Sequence, residues 1–298
     1  MKFIVNSRFL TQNMTGVQRY ALECSILMKE LYKDEVIFLA PKGKINKDLS
    51  KKLNVKQVGI MRGHLWEQIE LPIYSFFYSA TLVCFCGMPP ILKRNLVFAI
   101  HDIAFLKYPQ FYNFFYRNLY SFFIKKGYKK AKKIFTVSSF TKKELIEFYG
   151  KREIYIVNNS TNHLKKEDSF SDLPKGLIDR GYILCVGSIE PRKNLNQLIN
   201  VYLKETREYK MVIIGEKNKV FNQQDFPENF YNDDIVFTGY ISDSKLASFY
   251  KYTKCFIYPS LYEGFGIPPL EAIFYGSPVG VSNIPAHREV LEDYAYFF

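Results

Sequence analysis

Short apolar runs rich in β-branched residues alternate with helix-length segments along this chain, and after a polar stretch near residue 160 the alternation starts again. Strands are expected at residues 2–6, 36–40, 82–86, 96–100, 134–137 and 154–157, with helices over 16–32, 66–78, 111–130 and 139–149 between them. Ser139 is expected to cap the last of these helices, which Gly150 follows. The second series places strands at 182–186, 211–214, 235–238, 255–258 and 279–281, and helices over 194–208, 242–252 and 268–275. Strand–helix alternation of this kind builds parallel sheets covered on both faces. The chain has 298 residues, room for two such domains, and the polar run over 158–175 is the natural linker. The expected organisation is therefore α/β: two Rossmann-like domains, 1–165 and 166–298. A ligand cleft is expected at the carboxyl ends of their strands.

Composition removes several function classes. The longest uncharged run, 71–92, is long enough to cross a bilayer by count alone. It contains Pro72, Gly87, Pro89 and Pro90, so it reads as the end of a helix followed by a buried strand. The N-terminus lacks a signal-peptide pattern. The five cysteines form no CxxC pair and read as reduced buried thiols, and the four histidines lack metal-ligand spacing. A cytoplasmic protein without a bound metal or resident cofactor is expected. Charge is uneven: residues 1–165 carry a net +16 and residues 166–298 a net −4. The basic half is expected to face an anionic surface.

The densest chemistry lies in PSLYEGFGIPPLEAIFYGSPV, residues 259–279. Glu263 follows a buried strand. Gly264 and Gly266 flank Phe265 and let the backbone approach a ligand closely. Pro268 and Pro269 mark the start of a helix, whose N-terminus attracts a diphosphate. Glu271, expected in the first turn, can accept hydrogen bonds from two vicinal hydroxyls such as those of a ribose.

This segment resembles the Glu-x7-Glu signature of the family 4 (group 1) glycosyltransferases, which have the GT-B fold. The likeness extends to VGSIEPRKNLNQLI at Val186, to HDIAFLKYP at His101, to FTVSSFTKKEL at Phe135 and to the opening NSRFLTQNMTGVQRYALE. It resembles most the bacterial members that build O-antigen and capsular polysaccharide, including mannosyl- and rhamnosyl-type transferases. The resemblance implies roles residue by residue. Lys193, helped by Arg192, neutralises the departing diphosphate. Glu263 and the amides of Gly264 to Gly266 hold the donor hexose, Glu271 holds the ribose, Gly16 lets the first loop reach the phosphate and sugar, and His101 lines the sugar site. Many members carry Arg where this chain has Ser188, which leaves that phosphate contact to Arg192. Members also continue with further helices beyond the position of Phe298, so the chain reads as shortened.

The resemblance implies a retaining, metal-independent hexosyltransferase. It takes a nucleotide sugar, with GDP-mannose the leaning, and delivers the hexose to a lipid-linked or growing polysaccharide acceptor. A sugar-nucleotide epimerase on the same fold and a truncated, non-catalytic remnant are the alternatives. Residues 107–133 run from aromatic to lysine-rich (Lys125, Lys126, Lys129, Lys130, Lys132, Lys133), a composition suited to anionic lipid headgroups at the inner face of the cell membrane. Nucleic acid is not expected as a partner.

Overall fold

A computed structural model of the chain describes residues 2–93, 95–161, 164, 173, 176–205, 208–216 and 233–298. The expected linker over 158–175 falls largely outside the described residues, as do residues 206 and 207 of the expected helix over 194–208. Contacts divide the chain into two units. The first comprises residues 1–103 and 118–159, the second 104–117 and 160–298. The segment 104–117, which the sequence leaves in the first domain, thus belongs with the second unit. Its Tyr108 ring packs 5.6 Å from the Tyr262 ring.

The first unit holds a seven-stranded sheet. Its strands are β1 (Phe3–Asn6), β2 (Val36–Pro41), β3 (Lys56–Val58), β4 (Thr81–Cys84), β5 (Leu96–Ile100), β6 (Lys133–Thr136) and β7 (Tyr155–Ile156). They lie in the order β3-β2-β1-β4-β5-β6-β7, all parallel. The apolar run over 71–92 resolves into the helix Leu71–Phe77 and the fully buried β4. Among the described residues, no helix is long and apolar enough to cross a membrane. Ser138, not Ser139, caps the helix Ser139–Tyr149: its hydroxyl accepts from the Thr141 amide at 3.0 Å.

The second unit holds β8 (Tyr182–Val186), β9 (Lys210–Ile214), β10 (Ile235–Gly239), β11 (Cys255–Tyr258), β12 (Val279–Val281) and β13 (Tyr296–Phe297). Their order is β10-β9-β8-β11-β12-β13, again parallel. Successive side chains of a strand face opposite sides, and the core divides accordingly. Tyr182, Leu184, Val212 and Ile214 pack into one apolar cluster, and Cys185, Met211 and Ile213 into another. β9 and β12 are buried almost throughout, as their apolar sequences require, while β10 and the edge strand β13 are more open.

In each sheet the chain builds outward from a central strand and then returns to build the other way. The reversal lies between β1 and β4 in the first unit and between β8 and β11 in the second. Open parallel sheets bind ligands at this point, beyond the carboxyl ends of the strands.

Candidate active site

The loops that leave β8 and β11 carry the chemistry of the second unit. After β8 the chain turns at Gly187 (φ +150°), passes Ser188 and Glu190, and forms a short 3-10 turn, Pro191–Lys193. Asn194, in the left-handed region at φ 56°, redirects the chain into the helix Leu195–Lys204. After β11 come Pro259 to Gly266 and then the helix Ile267–Phe274. Both loops leave the strand ends that flank the reversal, and they meet there: the Leu261 amide donates to the Arg192 carbonyl at 2.9 Å.

Glu263 sits at the centre. Lys193 Nζ donates to its Oε1 at 2.6 Å and Arg192 Nη1 to its Oε2 at 2.8 Å. Arg192 Nη1 also reaches the Tyr262 carbonyl at 2.7 Å, and Arg192 Nη2 the Glu190 carboxylate at 2.5 Å. Lys193 Nζ donates to the Tyr258 hydroxyl at 2.5 Å. Glu190, Arg192, Lys193 and Glu263 are all below 10% exposed. Two cations and two carboxylates share this buried space, so formal charge balances within it. Burial alone would lift the Glu263 carboxyl; Arg192 and Lys193 outweigh it and hold the group well below the usual carboxylate range. Burial lowers the Lys193 ammonium and raises the Glu190 carboxyl. A pocket beside the network is lined by Gly187, Ser188, Lys193, Ile213, Tyr258 and Pro259.

Gly266 caps the helix Ile267–Phe274 at φ +100°. A Cβ there would lie 3.2 Å from the buried His287 ring, so the position suits glycine on conformation and space. Phe265 is buried. The helix begins at Ile267, one residue earlier than expected, and Glu271 therefore stands at the start of its second turn, outside the first. Pro268 and Pro269 have no N–H, which leaves Ile267 and Leu270 as the helix's own early donors. An anion at this end has those two amides and the amides of the preceding glycine loop to draw on. Glu271 Oε2 accepts from the Tyr250 hydroxyl at 2.9 Å, which fixes the carboxylate.

The structure thus gathers Ser188, Arg192, Lys193, Glu263, Gly264, Phe265, Gly266 and Glu271 on two adjoining loops and one helix. Gly16 and His101 belong to the first unit. Gly16 opens the helix Gly16–Tyr32. His101 follows β5; its Nε2 bonds the Phe85 carbonyl at 2.8 Å, its ring meets Tyr20 edge-on at 4.9 Å, and burial lowers its pKa.

Four residues escaped the sequence reading. Glu190 lies two positions before Arg192, inside the quoted segment, but nothing local says that it pairs back. Tyr258 and Tyr250 read as core aromatics, and only the fold turns their hydroxyls on Lys193 and Glu271. His287 was one scattered histidine among four. Its Nδ1 bonds the Ser282 carbonyl at 2.9 Å, while its Nε2 is buried without a hydrogen-bond partner.

Residues 169–298 match the family described as "Glycosyl transferases group 1", and residues 73–163 match "Glycosyltransferase Family 4". The O-antigen chain mannosyltransferase RfbU of Salmonella typhimurium is 27% identical over 99% of this chain and 86% of its own length. O-antigen chain mannosyltransferase B of Escherichia coli is 29% identical over 69% of this chain, which spans 57% of that protein. Among solved structures, Anabaena HepE in complex with UDP-glucose superposes with a TM-score of 0.71 at 14% identity, covering 100% of this chain and 85% of HepE. Both halves of the sequence are matched, in order, and the observed sheets are those of the matched fold: the chain carries a group 1 glycosyltransferase domain over residues 169–298 and a family 4 glycosyltransferase domain over residues 73–163, and it has the GT-B fold.

Proposed function

We propose that this glycosyltransferase moves a hexose from a nucleotide-sugar donor, GDP-mannose first among the candidates, to a lipid-linked or growing polysaccharide acceptor in bacterial surface polysaccharide assembly. The two mannosyltransferase relatives support the sugar and the pathway. The observation that carries the donor site is the buried Arg192–Lys193–Glu263 network at the reversal between β8 and β11.

Breaking the donor's C1–O bond leaves the electron pair on the diphosphate and positive charge on the sugar. Cations fixed beside the diphosphate favour that transition state. Lys193 and Arg192 are already assembled, held by Glu263. When the diphosphate enters the glycine-lined pocket near Ser188, Lys193 turns to it, and Glu263 gains acceptor capacity for the hexose hydroxyls. The ion pairs exchange partners, and no charge is left buried alone. The amides of Gly264 to Gly266 hold the sugar with Glu263, and Glu271, fixed by Tyr250, holds the ribose. The family resemblance assigns Gly16 and His101 to binding of the donor sugar. The acceptor hydroxyl attacks C1 from the face the diphosphate leaves and gives its proton to the departing phosphate oxygen, with retention of configuration. The scheme uses no metal and no resident cofactor, the nucleotide sugar being a substrate.

The reading also includes peripheral contact with an anionic membrane at the inner face of the cell membrane. On the helix Phe114–Lys130, Phe115, Leu119 and Phe122 are exposed at helical spacing, and the same stripe continues into exposed Lys125, Lys126 and Lys129.

The test is thermal unfolding with GDP, UDP and their sugars, beside Glu271→Ala. A ligand at 100 times its Kd adds about 2.7 kcal/mol. A rise in Tm with one nucleotide, absent in the variant, supports the donor site and names the base; no rise with any of them sinks it. Mannose transfer to a prenyl-diphosphate-linked acceptor then separates transfer from epimerisation, which turns over the donor alone.

A further inference from the structure

The first unit has its own reversal, between β1 and β4, and it too carries a fixed cation. Arg8 lies two residues beyond the end of β1, at the start of the 3-10 turn Arg8–Thr11, and is 9% exposed. Its Nε lies 2.8 Å from Glu67 Oε1, an ion pair in which the N–H is not aligned on the oxygen. Glu67 is 1% exposed and anchored on three sides. Asn6 Nδ2 donates to Oε1 at 2.9 Å, Arg8 pairs with the same oxygen, and His64 Nδ1 lies 2.9 Å from Oε2. On the β4 side stands Gly87, at φ +85°. A Cβ there would fall 2.8 Å from Glu67 Oε1 and 3.6 Å from Arg8 Nη2, so any side chain would close this space.

This arrangement fixes the stem and Nε of the guanidinium and leaves Nη1 and Nη2 without a hydrogen-bond partner among the described residues. Neither Nη is among the fully buried atoms without a partner, so both donors stay open to a ligand. The planar fork of the guanidinium matches the paired oxygens of a phosphoryl group. It stands where parallel sheets bind ligands.

We propose that Arg8, oriented by Glu67, is a binding residue for a phosphoryl group at the carboxyl edge of the first sheet. The group comes from the lipid-linked diphosphate of an acceptor or from the nucleotide diphosphate, and the experiment tells these apart. Asn6, His64 and Gly87 position Glu67 and leave the space open. The proposal does not rest on the donor site of the second unit.

Arg8→Gln alone would strand a buried carboxylate, so the informative variant is Arg8→Gln with Glu67→Gln. Arg8→Lys keeps the charge without the fork. Farnesyl diphosphate, farnesol, GDP and UDP are titrated calorimetrically into the wild type and both variants. The expected result is that farnesyl diphosphate binds the wild type, farnesol does not, and the double variant weakens the diphosphate at least tenfold with GDP and UDP unchanged. A tenfold loss confined to GDP or UDP supports the same site with the nucleotide as the source. Unchanged affinity for every probe overturns the proposal. One reading needs no variant: bound diphosphate should shield Arg8 from phenylglyoxal in the wild-type chain, and equal modification with and without it also overturns the proposal. Glu271→Ala keeps the two sites distinct, because it should abolish nucleotide binding while leaving farnesyl diphosphate binding intact.

Discussion

Glu263 is a carboxylate that the fold has made indispensable before any substrate arrives. It is 7% exposed and pairs with both Lys193 and Arg192. Glu263→Gln keeps the shape but leaves a positive charge uncompensated in a buried space, and breaking such a pair costs about 3–5 kcal/mol. Urea unfolding should show a loss of that order, and GDP or UDP should restore part of it by supplying the missing negative charge. Lys193→Met has a different signature. It leaves the Glu263–Arg192 pair in place and removes one cation from the leaving diphosphate, so kcat should fall about 10²–10³-fold in a donor-consumption assay. A fall in donor affinity with kcat unchanged would place Lys193 in ground-state binding instead. The sequence offered Glu263 through its glycine- and proline-marked loop, and Arg192 and Lys193 only through the family resemblance. It could not show Glu190, Tyr258 or Tyr250, whose roles depend on which strand ends adjoin, and adjacency between β8 and β11 is written nowhere in the local sequence.

At the scale of elements, apolar alternation was enough to place most strands, because a strand buried on both faces must be apolar throughout. Short edge strands carry less of that signal. β3, with Lys56 and Gln57 exposed, and the two-residue β13 went unread. Cap geometry decided two details: the cap of the helix Ser139–Tyr149 is Ser138 and not Ser139, and the helix expected from 268 starts at Ile267 after Gly266. The junction of β8 and β9 supplies a prediction. Gly215 has φ +152°, and a Cβ there would fall 1.9 Å from the Gly187 carbonyl oxygen, against the backbone of the Gly187–Ser188 peptide. Gly43 has φ +135° with nothing within 4 Å. Both Gly→Ala changes carry the cost of a conformation that L side chains avoid, about 1–3 kcal/mol. Only Gly215→Ala must also push two strand ends apart beside the proposed phosphate pocket. It should lower Tm well below that of Gly43→Ala and weaken nucleotide binding; equal shifts for the pair would show that packing at the pocket floor is not limiting. The helix Phe114–Lys130 supplies another. Changing Lys125, Lys126 and Lys129 together to Glu reverses the charge of its exposed stripe. Sedimentation with vesicles containing anionic lipid should drop to the level seen with neutral vesicles, while nucleotide binding is unchanged. Retained sedimentation would assign that face to some other contact.

Across the whole molecule, each unit holds a histidine that resists protonation: the half-buried His101 in the first and the buried His287 in the second. Burial lowers both pKa values. The Phe85 carbonyl and Asp102 pull His101 partly back. For His287, the Ser282 carbonyl and Glu263 pull back, and Lys193 adds to the lowering. An unfolded histidine titrates near 6.5. As pH falls through that value the unfolded chain takes up protons that the folded chain still refuses, and stability rises with pH wherever the unfolded state binds more protons. The chain should therefore lose stability between pH 7.5 and 5.5, in both units and well above the range in which carboxylates titrate. Glu263, held low, extends the loss below its unfolded value near 4.3, and Glu190, held high, opposes it there, so the upper window belongs to the histidines. Differential scanning fluorimetry at steps of half a pH unit should show Tm falling across this window. Replacing both residues, His101→Asn with His287→Gln, should flatten it. A wild-type profile that is level or rises toward pH 5.5 would mean that these rings accept protons in place, and His287, whose Nε2 lies beside the Gly266 turn, would then carry a charge next to the donor loop.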